Sequence, residues 1–380
     1  MRNHCKLFGV LGLCIVSRSF AASSVTLYGT VDDGFQFNSN QGGSRAYALQ
    51  QGGLGSSKWG VLGTEDLGGG LSTIFNLESG FDLNSGKLGN NGALFGRKAF
   101  VGLSGPFGTV TVGKQYDLFY EVLGGYSAPS RFGGGLGAHP GDVDNLWGDF
   151  NISNAVKYRS PNLGGFNAGA LYGFGNVPGA FSQSRTLNFT LSYQNGPFSG
   201  AVGYLDINNP AVTLWNGSAA PVAGAAFANP ITSPIFSGYT SAHQLQIMGV
   251  GASYVLDDVT ISGVYTNTQF KDVVATSTTP KAGNFSFNSF EGNVLWQVCV
   301  DVYLGAGYTF TKAEDARYSQ VNFGAKYILS KRTLLYFASD WMHASGTDST
   351  GHAAVAASNN IGASSNANQL VTRIGIRHAF

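Results

Sequence analysis

Beyond its first two dozen residues the chain keeps returning to one spacing. Apolar and polar side chains alternate, incompletely, over stretches of about ten residues. In the first stretch Val25, Leu27 and Val31 fall on one side, and Thr26, Tyr28, Thr30 and Asp32 on the other. A period of two is that of a β-strand with one apolar and one wet face. The stretches are Val25–Phe37, Lys58–Glu65, Leu71–Phe81, Arg97–Ser104, Thr109–Gln115, Ala155–Arg159, Phe166–Phe174 and Thr186–Gln194, followed by Ser199–Ile207, His243–Val255, Thr260–Phe270, Phe285–Trp296, Asp301–Phe310, Tyr318–Leu329, Thr333–Met342 and Gln369–Phe380. That predicts 16 strands, an even number that lets an antiparallel sheet close with both ends of the chain on one side.

The spacers between strands come in two kinds. Short ones carry turn residues, as in Asp66-Leu67-Gly68-Gly69, Gly105-Pro106-Phe107-Gly108, Pro161-Asn162-Leu163-Gly164, Asn195-Gly196-Pro197 and Asp257-Asp258. Long ones, roughly 38–56, 116–152, 208–242, 271–284 and 343–368, interleave with them. Tight turns at one end and long loops at the other are the asymmetry of an all-β, transmembrane antiparallel barrel. Hydrocarbon forbids an open sheet edge, because every backbone polar group there needs a partner. Val25–Phe37 is therefore expected to pair with Gln369–Phe380, with Ile374 and Ile376 toward lipid, Phe380 in the interfacial aromatic girdle, and Arg373 and Arg377 toward water.

Composition narrows the reading further. The 380 residues are 43% hydrophobic but only 11% charged, with 55 glycines, 27 phenylalanines and 17 tyrosines. Soluble domains carry roughly 25% charge. The net charge of +1, without any Lys/Arg cluster, argues against nucleic acid as a partner. Residues 1–22, MRNHCKLFGVLGLCIVSRSFAA, place Arg2 and Lys6 before an apolar run and end in small residues, the layout of a cleaved secretory signal preceding a barrel domain over 23–380. Cleavage would remove Cys5 and Cys14 and leave Cys299 as a lone small apolar side chain, without an intrachain disulfide.

Several stretches resemble the trimeric general porins of Gram-negative outer membranes, particularly the β-proteobacterial and neisserial branch. They are SSVTLYGTVDDG (23–34), SSKWGVLGTEDLGGGL (56–71), FGRKAFVGLSGPFGTVTVGKQYD (95–117), NAVKYRSPNLGGF (154–166) and RIGIRHAF (373–380). The resemblance implies a 16-stranded barrel, a third loop folded inward, and a homotrimer in outer-membrane lipid and lipopolysaccharide. It also implies passive diffusion of ions and small hydrophilic solutes, without turnover or cofactor. Basic side chains on one wall of the constriction fall at Lys58, Arg97 and Arg159; the alternative for each is a rim charge or a subunit contact. Alternation sets Arg97 opposite Phe100, which favours the water-filled side.

The inward loop is expected within Gln115–Asn151, where Asp117, Glu121, Asp142 and Asp144 are the available acids. At SRFGGG, where enteric relatives carry an acid before Phe-Gly-Gly, this chain has Arg131. A few fixed charges in a narrow, low-dielectric pore act strongly on permeating ions, so this exchange favours weak selectivity or anions. Pairing of Arg131 with Asp142 or Asp144 would instead leave little net field.

Other function classes find less support in the residues. Of the six histidines none sits beside a nucleophile motif, which argues against an enzyme. LGGGL (67–71) lacks the Lys-Ser/Thr of a nucleotide loop. His343 and His352 have no acid or cysteine at ligand spacing, so no metal is expected. Tyr116, Phe119, Tyr120, Tyr126, Phe132 and Trp147 would line the path of a sugar-selective porin, or pack the loop against the wall. A dicarboxylate-selective channel and a non-conducting, adhesin-like barrel are the remaining alternatives.

Overall fold

The computed structural model describes residues 23–215 and 227–380. The proposed signal, 1–22, lies outside the described residues. Seventeen strands are described: β1 (Ser24–Gln41), β2 (Ser44–Leu49), β3 (Lys58–Gly68), β4 (Leu71–Gly80), β5 (Lys98–Gly105), β6 (Gly108–Gln115), β7 (Ile152–Arg159), β8 (Phe166–Gly173) and β9 (Thr186–Asn195), then β10 (Phe198–Asn208), β11 (Ala242–Leu256), β12 (Val259–Val273), β13 (Gly283–Cys299), β14 (Val302–Ala313), β15 (Ala316–Ile328), β16 (Thr333–Gly346) and β17 (Asn368–Ala379). From β3 onward each pairs antiparallel with the next, and β17 pairs back with β1 from Thr30↔Ala379 to Asn38↔Val371. Gly29 and Phe380 exchange both backbone hydrogen bonds at 3.0 Å, which seals the seam to its last residue.

The extra strand corrects one expectation. Residues 38–56 are not all loop, because β2 pairs with the far part of β1 (Phe35↔Leu49 to Gln41↔Ser44). The near part of β1 pairs with β3 (Ser24↔Thr64 to Thr30↔Lys58). Both lie on the same edge of β1, so β2 and β3 share one place in the wall and the fold is a 16-stranded antiparallel barrel. The gap between them has a visible cause. Buried Asp32 accepts the Gly53 and Leu54 backbone amides, both at 2.9 Å, and the Tyr336 hydroxyl at 2.7 Å. Amides captured by a side chain are lost to the ladder, so pairing lapses there and resumes at Lys58.

Alternation sorts the two faces. Val25, Leu27, Ile374 and Ile376 are well exposed, as are Val101, Leu103, Val112, Phe323 and Phe337. These form the apolar outer band, and no helix among the described residues is long and apolar enough to cross a membrane. The opposite face is polar and mostly buried: Thr30, Asn38, Thr111, Asn188, Thr266, Asn322, Asp340 and Arg373. Arg373 donates to Gln36 across the β1–β17 seam. The largest apolar cluster lies against this polar face, where Leu118, Phe119, Leu123 and Leu146 from 116–151 meet Leu205, Ile247 and Phe270 from the strands.

Candidate functional site

Segment 116–151 connects β6 to β7 and carries one short α-helix, α1 (Leu118–Leu123), followed by single helical turns; α1 is capped by Asp117, whose carboxylate accepts the Tyr120 amide at 2.8 Å. Its apolar residues meet the wall where the wall has no side chain. An added Cβ at Gly203 or Gly249 would lie 2.8 and 2.7 Å from the Phe119 ring. One at Gly305 would lie 2.2 Å from Phe132, and one at Gly324 would lie 2.6 Å from the Phe132 carbonyl. Within the Gly-rich run after Arg131, one glycine is also required by space. Gly134 sits at φ +55, and a Cβ there would stand 1.9 Å from the Gly53 carbonyl, in the gap between β2 and β3. Gly135 donates to that carbonyl at 3.0 Å.

Polar ties complete the attachment. His139, fully buried, bonds Asp144 through Nδ1 at 2.6 Å and Glu291 of β13 through Nε2 at 2.9 Å. The Thr266 hydroxyl of β12 donates to Asp144 at 2.6 Å, and Glu291 also accepts the Ala128 amide at 2.7 Å. Burial disfavours a charged His139, but its two carboxylate partners outweigh that and raise its pKa from 6.5 to about 10. Burial likewise opposes ionisation of Asp144, yet the His139 charge holds it below the usual carboxylate range.

The sequence-derived acids separate into two kinds. Asp117, Asp142 and Asp144 are buried; the first two are committed to the segment itself, and Asp144 also ties it to Thr266 of β12. Asp117 also takes the Asn145 side chain at 2.7 Å, and burial pushes its pKa up to about 6. Asp142 accepts the Trp147 and Asp149 amides, and burial beside two more carboxylates raises its pKa strongly. Glu121 alone of the four pairs with lysine and arginine: Lys157 at 2.9 Å and Arg159 at 2.6 Å.

A second acid, Glu78 of β4, gathers the other basic residues. Arg97 lies 2.8 Å away, Lys58 3.7 Å and Lys98 3.8 Å, and the Tyr28 hydroxyl donates to it at 2.8 Å. Arg97 and Lys98 also stand 5.6 and 5.9 Å from the centre of the Tyr116 ring. The phase expected for Arg97 is corrected here. Phe100 lies on the polar face, lining a cavity of about 180 Å³ with Lys98, Thr111, Lys157 and Arg159. Arg97 reaches Glu78 because it precedes β5 and is outside the strand's alternation.

Arg131 pairs with neither Asp142 nor Asp144. Its Nε has no partner among the described residues, and its carbonyl accepts the Lys326 ammonium. Glu121, Arg131 and Arg159 line one cavity of about 440 Å³, with Ser160, Asn167, Thr190, Ser192 and Gln194 around them. Glu78, Lys98, Lys157 and Lys326 are not singled out by the sequence reading. Lys157 is readable, since it stands two residues before Arg159 and shares its face. The partners of Glu78 depend on strand register, which alternation does not supply. The loop aromatics Phe119, Tyr126 and Phe132 are packing residues, and the described residues hold no group of three or more His, Cys, Asp or Glu placed to bind a metal.

Comparison with known proteins agrees with this architecture. Residues 11–347 match the family described as Gram-negative porin. Outer membrane porin protein 32 of Delftia acidovorans is 28% identical over 391 residues, covering 98% of this chain and 99% of that one. An outer membrane porin protein of Bordetella pertussis is 28% identical over 83% of this chain and 88% of its own. Among solved structures, the anion-selective porin from Comamonas acidovorans superposes with a TM-score of 0.70 at 26% identity, over 94% of this chain and all of that one. A closed barrel, oily outside and polar within, together with a family match over most of its length, leads to one conclusion: the chain belongs to the Gram-negative porin family and is a non-catalytic, passive diffusion channel of the outer membrane.

Proposed function

We propose that residues 116–151 are the inward-folded third loop of this channel, and that the pore is narrowest where that loop faces β3–β7. Permeating ions there meet Lys58, Arg97, Lys98, Lys157 and Arg159, with Arg131 on the loop, against Glu78 and Glu121. The carrying observation is this imbalance: each acid is outnumbered by the cations within 4 Å of it. Positive charge in a narrow section walled by low dielectric raises the local concentration of anions. The pore accordingly prefers anions, as does the anion-selective porin from Comamonas acidovorans. Cleavage of residues 1–22 and assembly as a homotrimer complete the reading, on the signal-like sequence and the family.

Cysteine chemistry tests the loop placement. Among the described residues Cys299 is the free cysteine, and it is exposed. In a Cys299→Ser background, Arg131→Cys should react with a negatively charged thiosulfonate in open channels, with a stepwise fall in current and in anion preference. A thiol that stays unreactive at this position, or modification without effect on current, would contradict the placement.

A further inference from the structure

The loop joining β16 to β17, residues 347–367, does not stand away from the barrel. Ser358 donates its hydroxyl to Asp340 and its amide to Gln369 at 2.9 Å, and the Ala357 amide contacts Met342 Sδ at 3.2 Å. Asp340 and Met342 flank outward-facing Trp341, so their side chains belong to the polar face. Asp340 lies six residues below the end of β16 at Gly346, roughly 20 Å along the strand. The loop therefore turns back down the inner wall. Ala356, Ala357 and Ser358 are almost fully buried there.

From that depth it reaches the third loop. Asn359 and Asn360 both donate to the Asp149 carboxylate, at 2.9–3.1 Å. A third tie runs sideways: the Ser349 hydroxyl donates to the Pro234 carbonyl at 2.7 Å and accepts the Gly238 amide at 3.0 Å. Asp348 is the one formally charged residue of 347–367. We infer that this loop forms a second, uncharged narrowing above the basic one, tethered at Asp149, which sets the size limit of the channel without contributing to its choice of ion sign. The inference rests on the third-loop reading, since Asp149 belongs to that segment.

Two changes test it: replacement of residues 350–364 by a short Gly-Ser turn, and Asp149→Ala, which cuts the tether but keeps the loop. Each is measured for single-channel conductance, for zero-current potential in a KCl gradient, and for liposome entry of neutral oligosaccharides of increasing length. Conductance should rise roughly 1.5- to 2-fold in the shortened protein, as a pore's throughput follows its bore. Asp149→Ala should show part of that rise with more current noise, and the shortened protein should admit longer oligosaccharides. The zero-current potential of the shortened protein, which loses no formal charge, should not move. Unchanged conductance and size limit in both proteins overturn the proposal, as does a shift in ion preference in the shortened protein. Should the shortened protein fail to fold, Asp149→Ala decides alone. Loss of anion preference in the unaltered protein would instead count against the basic constriction.

Discussion

Glu78 shows how one buried acid organises the wall. It has almost no contact with water, yet three cations and a tyrosine hydroxyl converge on it. Glu78→Gln keeps the shape and removes the charge. Hydrogen bonds to charged groups contribute about 1.5–3 kcal/mol, so the variant should be destabilised by about 2 kcal/mol. It should also become more anion-preferring, because Lys58, Arg97 and Lys98 lose their counter-charge. Thermal loss of the β-sheet circular dichroism signal reads the first effect and the zero-current potential reads the second. A variant as stable as the parent would mean that the cations are held by water instead.

His139 is the other residue on which much depends, and its prediction is one of pH. Its pKa is raised from 6.5 to about 10, so its stabilising contribution is complete below about 6.5 and is lost as pH rises through 10. Asp144 shifts the opposite way, so its contribution is present above 3.8 and is lost on acidification. Asp117, raised to about 6, stabilises below 3.8 and ceases to do so as pH rises through 6. On the alkaline side, then, the imidazolium bridge between Asp144 and Glu291 is the one that fails. Open-channel noise should grow between about pH 8 and pH 11 as the imidazolium is lost. His139→Gln should be noisy already at the lower end of that range, with little further change. Equal pH dependence in both proteins would remove His139 from the account.

At the scale of elements, the strands and turns are legible in the sequence, and the packing of the long connections is not. Alternation locates every wall strand to within a few residues, because a barrel face in oil tolerates few polar side chains. β2 escapes because its residues are few, mostly exposed and lie beyond the point where Asp32 interrupts pairing. The phase of Arg97 is misleading because Phe100, an aromatic, lies on the water side, in the cavity lined by Lys98, Thr111 and Glu121. The loop's seat cannot be read from sequence at all, since it depends on glycines brought together from distant strands. Gly305 and Gly324 accommodate Phe132, and Gly203 and Gly249 accommodate Phe119. Gly305→Ala should cost about 1–3 kcal/mol by overpacking against Phe132 and should displace the loop. Its thermal midpoint and unitary conductance should both differ from the parent's, whereas Gly292→Ala, where an added Cβ meets nothing within 4 Å, should change neither.

For the whole molecule, closure of the sheet decides everything else. β1 and β17 pair from Thr30↔Ala379 to Asn38↔Val371, leaving neither edge to the hydrocarbon. The closed wall gives water one route, and the charges along that route set which ions use it. The family and the fold can be read from alternation, turn spacing and the resembling stretches. The balance of charge can be read only in part, since Lys58, Arg97, Arg159 and the acid Glu121 are visible, but Glu78, which gathers Lys58 and Arg97, is not. The central claim is that this route is open and biased toward anions by unbalanced lysines and arginines. The most direct test is the zero-current potential of the purified protein in a planar bilayer separating two KCl concentrations. The account predicts stepwise channels whose potential carries the sign of chloride permeation; channels with the potassium sign, or a bilayer that stays silent, would contradict it.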